Sequence, residues 1–323
     1  MPSRRHLLAL AGASLASPAL AAWPERPIRV VVPYAAGGNV DTVARLMQPR
    51  LVERLGQPVV VENRTGAGGS IGAELVARAR ADGYSLLAGS NGPLTVNPVV
   101  QARLPYDPMR DFAPIGMAMQ VPLALMVQTS LRIAGIAELV AAARARPNEI
   151  GIGTAGVASS THMALALFGA ATGAALLHVP YRGGGAALPD FLAGNVPAVF
   201  IELSTALPVH ADGKGRIIGI AAAHRLPALP DIPTMIEQGV ADFVAASYVG
   251  LLATAGAPED AMRPLAQALA AEVANPEFAR RIGEMGGEAA TPELASPRGF
   301  ADFLRAELTR TRRAAEIAGI RPE

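Results

Sequence analysis

A strand-like run, a small glycine-rich or polar turn and a helix-like run, in that order, limit what this chain can become, and the chain carries the arrangement twice. Tyr34-Ala-Ala-Gly-Gly-Asn-Val-Asp41 follows the β-branched run Ile28 to Pro33 and opens a helical pattern. Thr154-Ala-Gly-Val-Ala-Ser-Ser-Thr-His162 follows Ile150 to Gly153 and does the same about 120 residues later. A run such as Ile28 to Pro33 suits a strand buried on both faces, the signature of a parallel α/β sheet. A turn at a helix start aims backbone N–H groups and the positive end of the helix dipole at one point, which favours an anion. Two such turns in two α/β lobes predict a cleft that grips an acidic small molecule from both sides.

The rest of the chain supports two lobes. In the first, the spacing of Val43, Leu46, Leu51 and Leu55 predicts a helix over Asn39 to Leu55 that stops at Gly56. Strands are expected at Val59 to Val61 and Ser85 to Ala88, with a helix at Ile71 to Arg80. A second cycle runs from Leu123 to Ala222, with strands at Leu123 to Val127, Ile150 to Gly153, Leu176 to Val179, Ala198 to Ile201 and Ile217 to Ala221. Leu104-Pro-Tyr-Asp-Pro108 and Asp111-Phe-Ala-Pro-Ile115 read as an irregular connector, and Pro227 to Pro233 as a comparable break. Val249 to Ala253 then reads as a strand returning to the first lobe, followed by helices from Glu259 onward. The expected division is 23–120 with 246–323 as lobe 1 and 121–245 as lobe 2, joined by a two-crossing hinge with the ligand cleft between them.

Composition removes several function classes. A net charge of +1 over 323 residues supplies no basic field for nucleic acid or an anionic membrane. With no cysteine, thiolate catalysis and Cys-based metal sites are excluded. The single lysine, Lys214 in Asp212-Gly-Lys-Gly215, reads as turn solvation rather than as a phosphate-loop or Schiff-base residue. His162, His178, His210 and His224 lie at no zinc spacing, so no metal and no cofactor are expected. Residues 1–22 read as a cleavable export signal, with Arg4, Arg5 and His6 as a basic head, Leu7 to Ser17 as an apolar run and Ala19-Leu-Ala21 as the cleavage site. Ser3-Arg-Arg-His-Leu-Leu8 also resembles a twin-arginine motif, leaving the general and twin-arginine routes open. Either route takes the mature protein to the periplasm.

Eight motifs follow one another in order: Trp23-Pro-Glu-Arg-Pro-Ile-Arg29, Val32-Pro-Tyr-Ala-Ala-Gly-Gly38 with Asp41, Val61-Glu-Asn-Arg64 with Gly66-Ala-Gly-Gly69, Asp82-Gly-Tyr84, Leu104-Pro-Tyr-Asp-Pro108, Val179-Pro-Tyr-Arg-Gly183, Pro230-Asp-Ile-Pro-Thr234 and Gly250-Leu251. In these the chain resembles the substrate-binding proteins of tripartite tricarboxylate transporters, the Bug family, over essentially all of its mature length. The resemblance implies a type II periplasmic binding-protein fold, here expected as a monomer, that delivers a small organic carboxylate to membrane permease subunits. The ligand classes implied are di- or tricarboxylates, aromatic acids and acidic amino acids, held through main-chain N–H groups and ordered waters. Carried over by position, the first turn contributes Tyr34, Ala36, Gly37, Gly38 and Asp41, and the second Thr154, Ala155, Gly156, Ser159, Ser160 and His162. The chain departs from the family at Ala158-Ser159, Ala166, Pro197 and Tyr248, which stand where Gly-Ser, two acidic residues and a tryptophan are usual.

Individual residues admit other roles. Asp41 sits where a carboxylate stabilises a helix start, and it is expected to order the turn more than to touch an anion. His162 reads either as a packed or capping residue or as a contact. Asn91 follows the third strand and is placed at the cleft. Arg182 either pairs with a distal carboxylate or braces the lobe through carbonyls and Asp190, while Tyr181 and Asp190 are secondary pocket candidates beside the Gly183 to Gly185 turn. Gly151-Ile-Gly-Thr-Ala-Gly156 fits a dinucleotide fingerprint but lacks an acidic residue after the next strand. Gly68-Gly-Ser-Ile-Gly72 and the near match Ala88-Gly-Ser-Asn-Gly92 fit a nucleophile elbow, and a serine hydrolase is the leading enzymatic alternative. The first serine lies past its strand, and Pro93 and Pro98 oppose the long helix the second would need. A sensor with the same fold that signals to a membrane partner is the non-enzymatic alternative.

Overall fold

The computed structural model describes residues 23–157, 159–226, 229–317 and 319–322, so the expected export signal lies outside the described residues. The first run comprises β1 (Ile28–Val32), α1 (Asn39–Leu55), β2 (Val59–Asn63), α2 (Ser70–Ala77), β3 (Ser85–Gly89), a π-helical turn at Gly92–Val96 and α3 (Asn97–Val100). A second run comprises β4 (Phe112–Val127), α4 (Ile136–Ala145), β5 (Gly151–Thr154), α5 (Ser160–Thr172), β6 (Leu177–Pro180), α6 (Gly184–Ala193), β7 (Ala198–Glu202), α7 (Leu203–Ala211) and β8 (Arg216–Ile220). The chain closes with β9 (Ala246–Thr254), α8 (Glu259–Val273), α9 (Pro276–Glu284), β10 (Glu288–Ala289) and α10 (Pro297–Ile317).

The strands make a mixed sheet in the order β2-β1-β3-β9-β4-β7-β5-β6, with β8 and β10 also on β4. Parallel pairs β1/β2 and β1/β3 stand on one side, and parallel pairs β5/β6 and β5/β7 on the other. The two halves share one strand. Phe112 to Pro122 of β4 pairs with β9, whereas Leu123 to Val127 pairs with β7 and β8. At the junction Val121 faces Ser247 and Pro122 faces Ala246, so the two chain crossings run side by side.

Helix α1 shows why the local sequence folds as it does. Val40, Val43, Ala44, Met47, Leu51 and Leu55 form its buried stripe, and each large aliphatic side chain so buried stabilises by about 1.5–3 kcal/mol. Gly56 ends it at φ 67°, in the left-handed conformation that glycine adopts without a Cβ penalty, and donates its N–H to the Val52 carbonyl. Val30, Val31 and Val32 of β1 are at most 2% exposed, as a strand covered on both faces requires.

One sequence expectation is corrected here. Asp111 to Ile115 is not an irregular connector: from Phe112 it begins the longest strand, despite Pro114 and Pro122. The β4–β9 register shifts between Pro114 and Gly116, and a bulge of this kind absorbs a residue that cannot donate to the ladder. Pro93 and Pro98 occupy the first turns of the π-helical segment and of α3, where a missing N–H costs nothing, and the helical run ends at Val100.

Candidate functional site

A cavity of 390 Å³ opens where the carboxyl ends of β1, β3, β5, β6 and β7 converge. The β1–α1 turn lines it with Tyr34 through Val40, the β3 end with Ser90, Asn91 and Gly92, and the β5–α5 turn with Ala155, Val157, Ser159 and Ser160. Gly68, Arg182 to Ala186 after β6, Glu202 at the end of β7, Thr205 and Ser247 complete the wall.

Among the described residues four helices therefore begin at this cavity: α1, α5, α6 and α7. The Gly38 and Gly183 caps of α1 and α6 bring no side chain to the free N–H groups of the first turn, so these face the cavity with the positive dipole end behind them. On α5, Ser159 caps the His162 N–H, leaving the Ser160 amide at the wall. Asn39 also lines the cavity. Its Nδ2 is buried without a hydrogen-bond partner, while its Oδ1 accepts from Ser204 at 3.5 Å.

The first turn is held from behind by Asp41. Its carboxylate accepts from the Gly37 N–H at 2.9 Å, from Arg45 Nε at 3.0 Å and from Asn63 Nδ2 at 2.9 Å. Burial opposes ionisation of Asp41, but the hydrogen bonds from Arg45, Gly37 and Asn63 outweigh it and hold the carboxyl below its ordinary range. Tyr34 accepts from Ser90 Oγ at 3.2 Å, and burial pushes its hydroxyl up to about 12, with the Glu202 charge adding to the shift. Gly92 must be glycine for this packing, because a Cβ there would fall 2.2 Å from the Tyr34 hydroxyl and 2.6 Å from the Gly68 carbonyl.

The second turn is braced by hydroxyls. The Ala155 N–H donates to Thr161 Oγ1 at 2.8 Å and the Gly156 N–H to Thr154 Oγ1 at 3.3 Å, so neither amide is open to a ligand. Ser159 Oγ donates to the Gly156 carbonyl at 2.7 Å. Thr154 is fully buried and lies 2.7 Å from His178 Nε2. The His178 ring stacks on His162 at 3.9 Å and 6°. Burial lowers His178 to about 4, helped by repulsion from His162, and burial also lowers His162.

Of the sequence-predicted residues, Tyr34, Ala36, Gly37, Gly38, Asn91, Ala155, Ser159 and Ser160 line the cavity, whereas Asp41, Thr154, Gly156, His162, Tyr181 and Asp190 stand outside its lining. Tyr181 donates to Asp190 Oδ2 at 2.9 Å, and the two tie β6 to α6. The Asn91 side chain spans the junction: Oδ1 accepts from the Tyr248 N–H and Nδ2 donates to the Ala246 carbonyl, both at 3.1 Å. Sequence reasoning passed over Glu202 and the Asn39 side chain, although the rule that α/β sheets bind at strand carboxyl ends points to the end of β7. The two elbow serines have other partners: Ser70 bonds Gln101 and Asn97, and Ser90 donates to Tyr34. Among the described residues no group of three or more His, Cys, Asp or Glu is placed to hold a metal ion.

A mixed α/β sheet whose strand ends surround one cavity walled by helix starts is the architecture of a periplasmic binding protein. The family model described as the tripartite tricarboxylate transporter family receptor matches residues 43–318, and the chain belongs to that family. It is 34% identical over 316 residues to protein BugT of Bordetella pertussis, covering 94% of this chain and 95% of BugT. A solved structure titled R. palustris Rpa4515 with adipate superposes with a TM-score of 0.89 at 34% identity, covering 93% of this chain and 100% of the other. The periplasmic binding protein BugD superposes with a TM-score of 0.87 at 32% identity, covering 93% and 100%.

Proposed function

We propose that this chain is an extracytoplasmic receptor that captures a small organic carboxylate and presents it to the membrane permease of a tripartite transporter. The observation that carries the reading is the convergence of four helix starts on one cavity. A wall this rich in donors is complementary to a ligand rich in acceptors, and a carboxylate supplies them. The adipate-bound relative supports the same ligand chemistry. On this reading Tyr34, Ala36, Gly37, Gly38 and Asn39 contact the ligand from lobe 1 (23–120 with 246–323). Ala155, Ser159, Ser160 and Gly183 to Ala186 contact it from lobe 2 (121–245), and Asp41, Thr154, Gly156, His162, Tyr181 and Asp190 hold those contacts in place. Closure of the lobes then follows from tighter binding to the closed form. The chain performs no chemistry on its ligand, and it works in the periplasm as a monomer.

A thermal-shift and calorimetry screen of carboxylates on the mature protein tests this. A ligand at a hundredfold excess over its dissociation constant stabilises by about 2.7 kcal/mol, a readily measured rise in midpoint. If no carboxylate raises the midpoint while an ester is turned over, the receptor reading gives way to the hydrolase one.

A further inference from the structure

We propose that Glu202 makes this cavity selective for a carboxylate that also carries a protonated amine, an amino acid rather than a plain diacid. The inference rests on the receptor reading above and narrows it to a substrate class. Glu202 ends β7 and is the one carboxylate among the described lining residues, in a wall that otherwise offers amides, hydroxyls and the single cation Arg182. Its Oε2 lies over Gly184, 2.8 Å from where a Cβ on that residue would stand, so the carboxylate rests on bare backbone at the start of α6. Among the described residues no ion pair within 4.0 Å joins Glu202 to Arg182 or any other cation. Burial raises its carboxyl above the ordinary range, with its own backbone N–H working against the shift.

The α6 and α7 starts beside Glu202 offset part of the cost of a desolvated carboxylate, and an incoming ammonium offsets the rest by supplying a full positive charge and up to three N–H donors. The α1 and α5 starts take the ligand carboxylate, and Glu202 takes the amine. A plain diacid instead brings a second anion towards Glu202 and is repelled. Charge-assisted hydrogen bonds of this type correspond to a preference of about tenfold or more.

Isothermal titration of the mature protein with matched pairs, glutamate against glutarate and aspartate against succinate, tests the proposal in the native chain, in Glu202→Gln and in Glu202→Asp. Thermal melts of each variant establish that it is folded. The native protein is expected to bind the amino member of a pair at least about tenfold more tightly than the plain diacid. Glu202→Gln is expected to abolish that ratio while keeping or improving plain-diacid binding, and Glu202→Asp to retain part of it. A native ratio near one, or a ratio unchanged in Glu202→Gln, overturns the proposal and leaves the receptor reading standing. Failure of every carboxylate to bind any of the three proteins sinks both.

Discussion

Acidification should weaken the fold through the stacked imidazoles behind the second turn. In the unfolded chain His178 takes up a proton near pH 6.5, while in the folded protein it resists protonation down to about pH 4. Between those values the unfolded state binds more protons, so the stability present above pH 6.5 is lost as pH falls towards 4. Integrating that linkage from pH 7 to pH 5 gives about 2 kcal/mol for an unscreened group. The ring retains some solvent contact, and screening reduces the figure to about 1 kcal/mol. Glu202, Glu272 and Glu307, each raised by burial, act with the opposite sign over the same range. The assay is therefore a difference: urea unfolding of the native protein and of His178→Gln at pH 7 and at pH 5. Glutamine keeps a partner for Thr154 Oγ1 but carries no titrating proton. The native protein should lose about 1 kcal/mol more than the variant on acidification. Equal losses would refute the reasoning.

Further outcomes follow from other contacts. Asp41→Ala leaves the Gly37 N–H and Asn63 without their acceptor and should cost about 1–3 kcal/mol in denaturant unfolding, with weaker carboxylate binding by calorimetry. Gly92→Ala drives a methyl into the Tyr34 hydroxyl and the Gly68 carbonyl, and should lower stability by about 1–3 kcal/mol and reduce affinity. Trp23 packs on Tyr84 and donates to the Asp82 carbonyl outside the cavity lining, so its emission should stay constant through a carboxylate titration that calorimetry shows to saturate.

Local pattern carried much of this architecture, and distance in the chain hid the rest. The helix over Asn39 to Leu55 was legible residue by residue because its apolar stripe and its terminal glycine agree. The first half of β4 was not, because Pro114 marks a break in any local reading, and only β9, more than a hundred residues away, supplies the partner and the bulge that accommodate it. In the site, the two turns were visible as strand-turn-helix signatures. The internal bonds that consume the Ala155 and Gly156 amides were not, since they depend on hydroxyl rotamers at Thr161 and Thr154. Glu202 escaped notice because nothing beside it in sequence distinguishes a carboxylate facing a cavity from one facing water. The role of Asn91 likewise appears only once Ala246 and Tyr248 are brought against it.

The strand common to both halves sets the mechanics of any opening. Because β4 passes from one sheet to the other at Val121 to Leu123 with Ser247 and Ala246 laddered beside it, the two connections bend as one ribbon rather than as independent tethers. A two-stranded ribbon of this kind bends most easily normal to its plane, while its ladder of hydrogen bonds resists sliding of one strand past the other. Should the lobes open about it, the α1 start would move with one half and the α5, α6 and α7 starts together with the other.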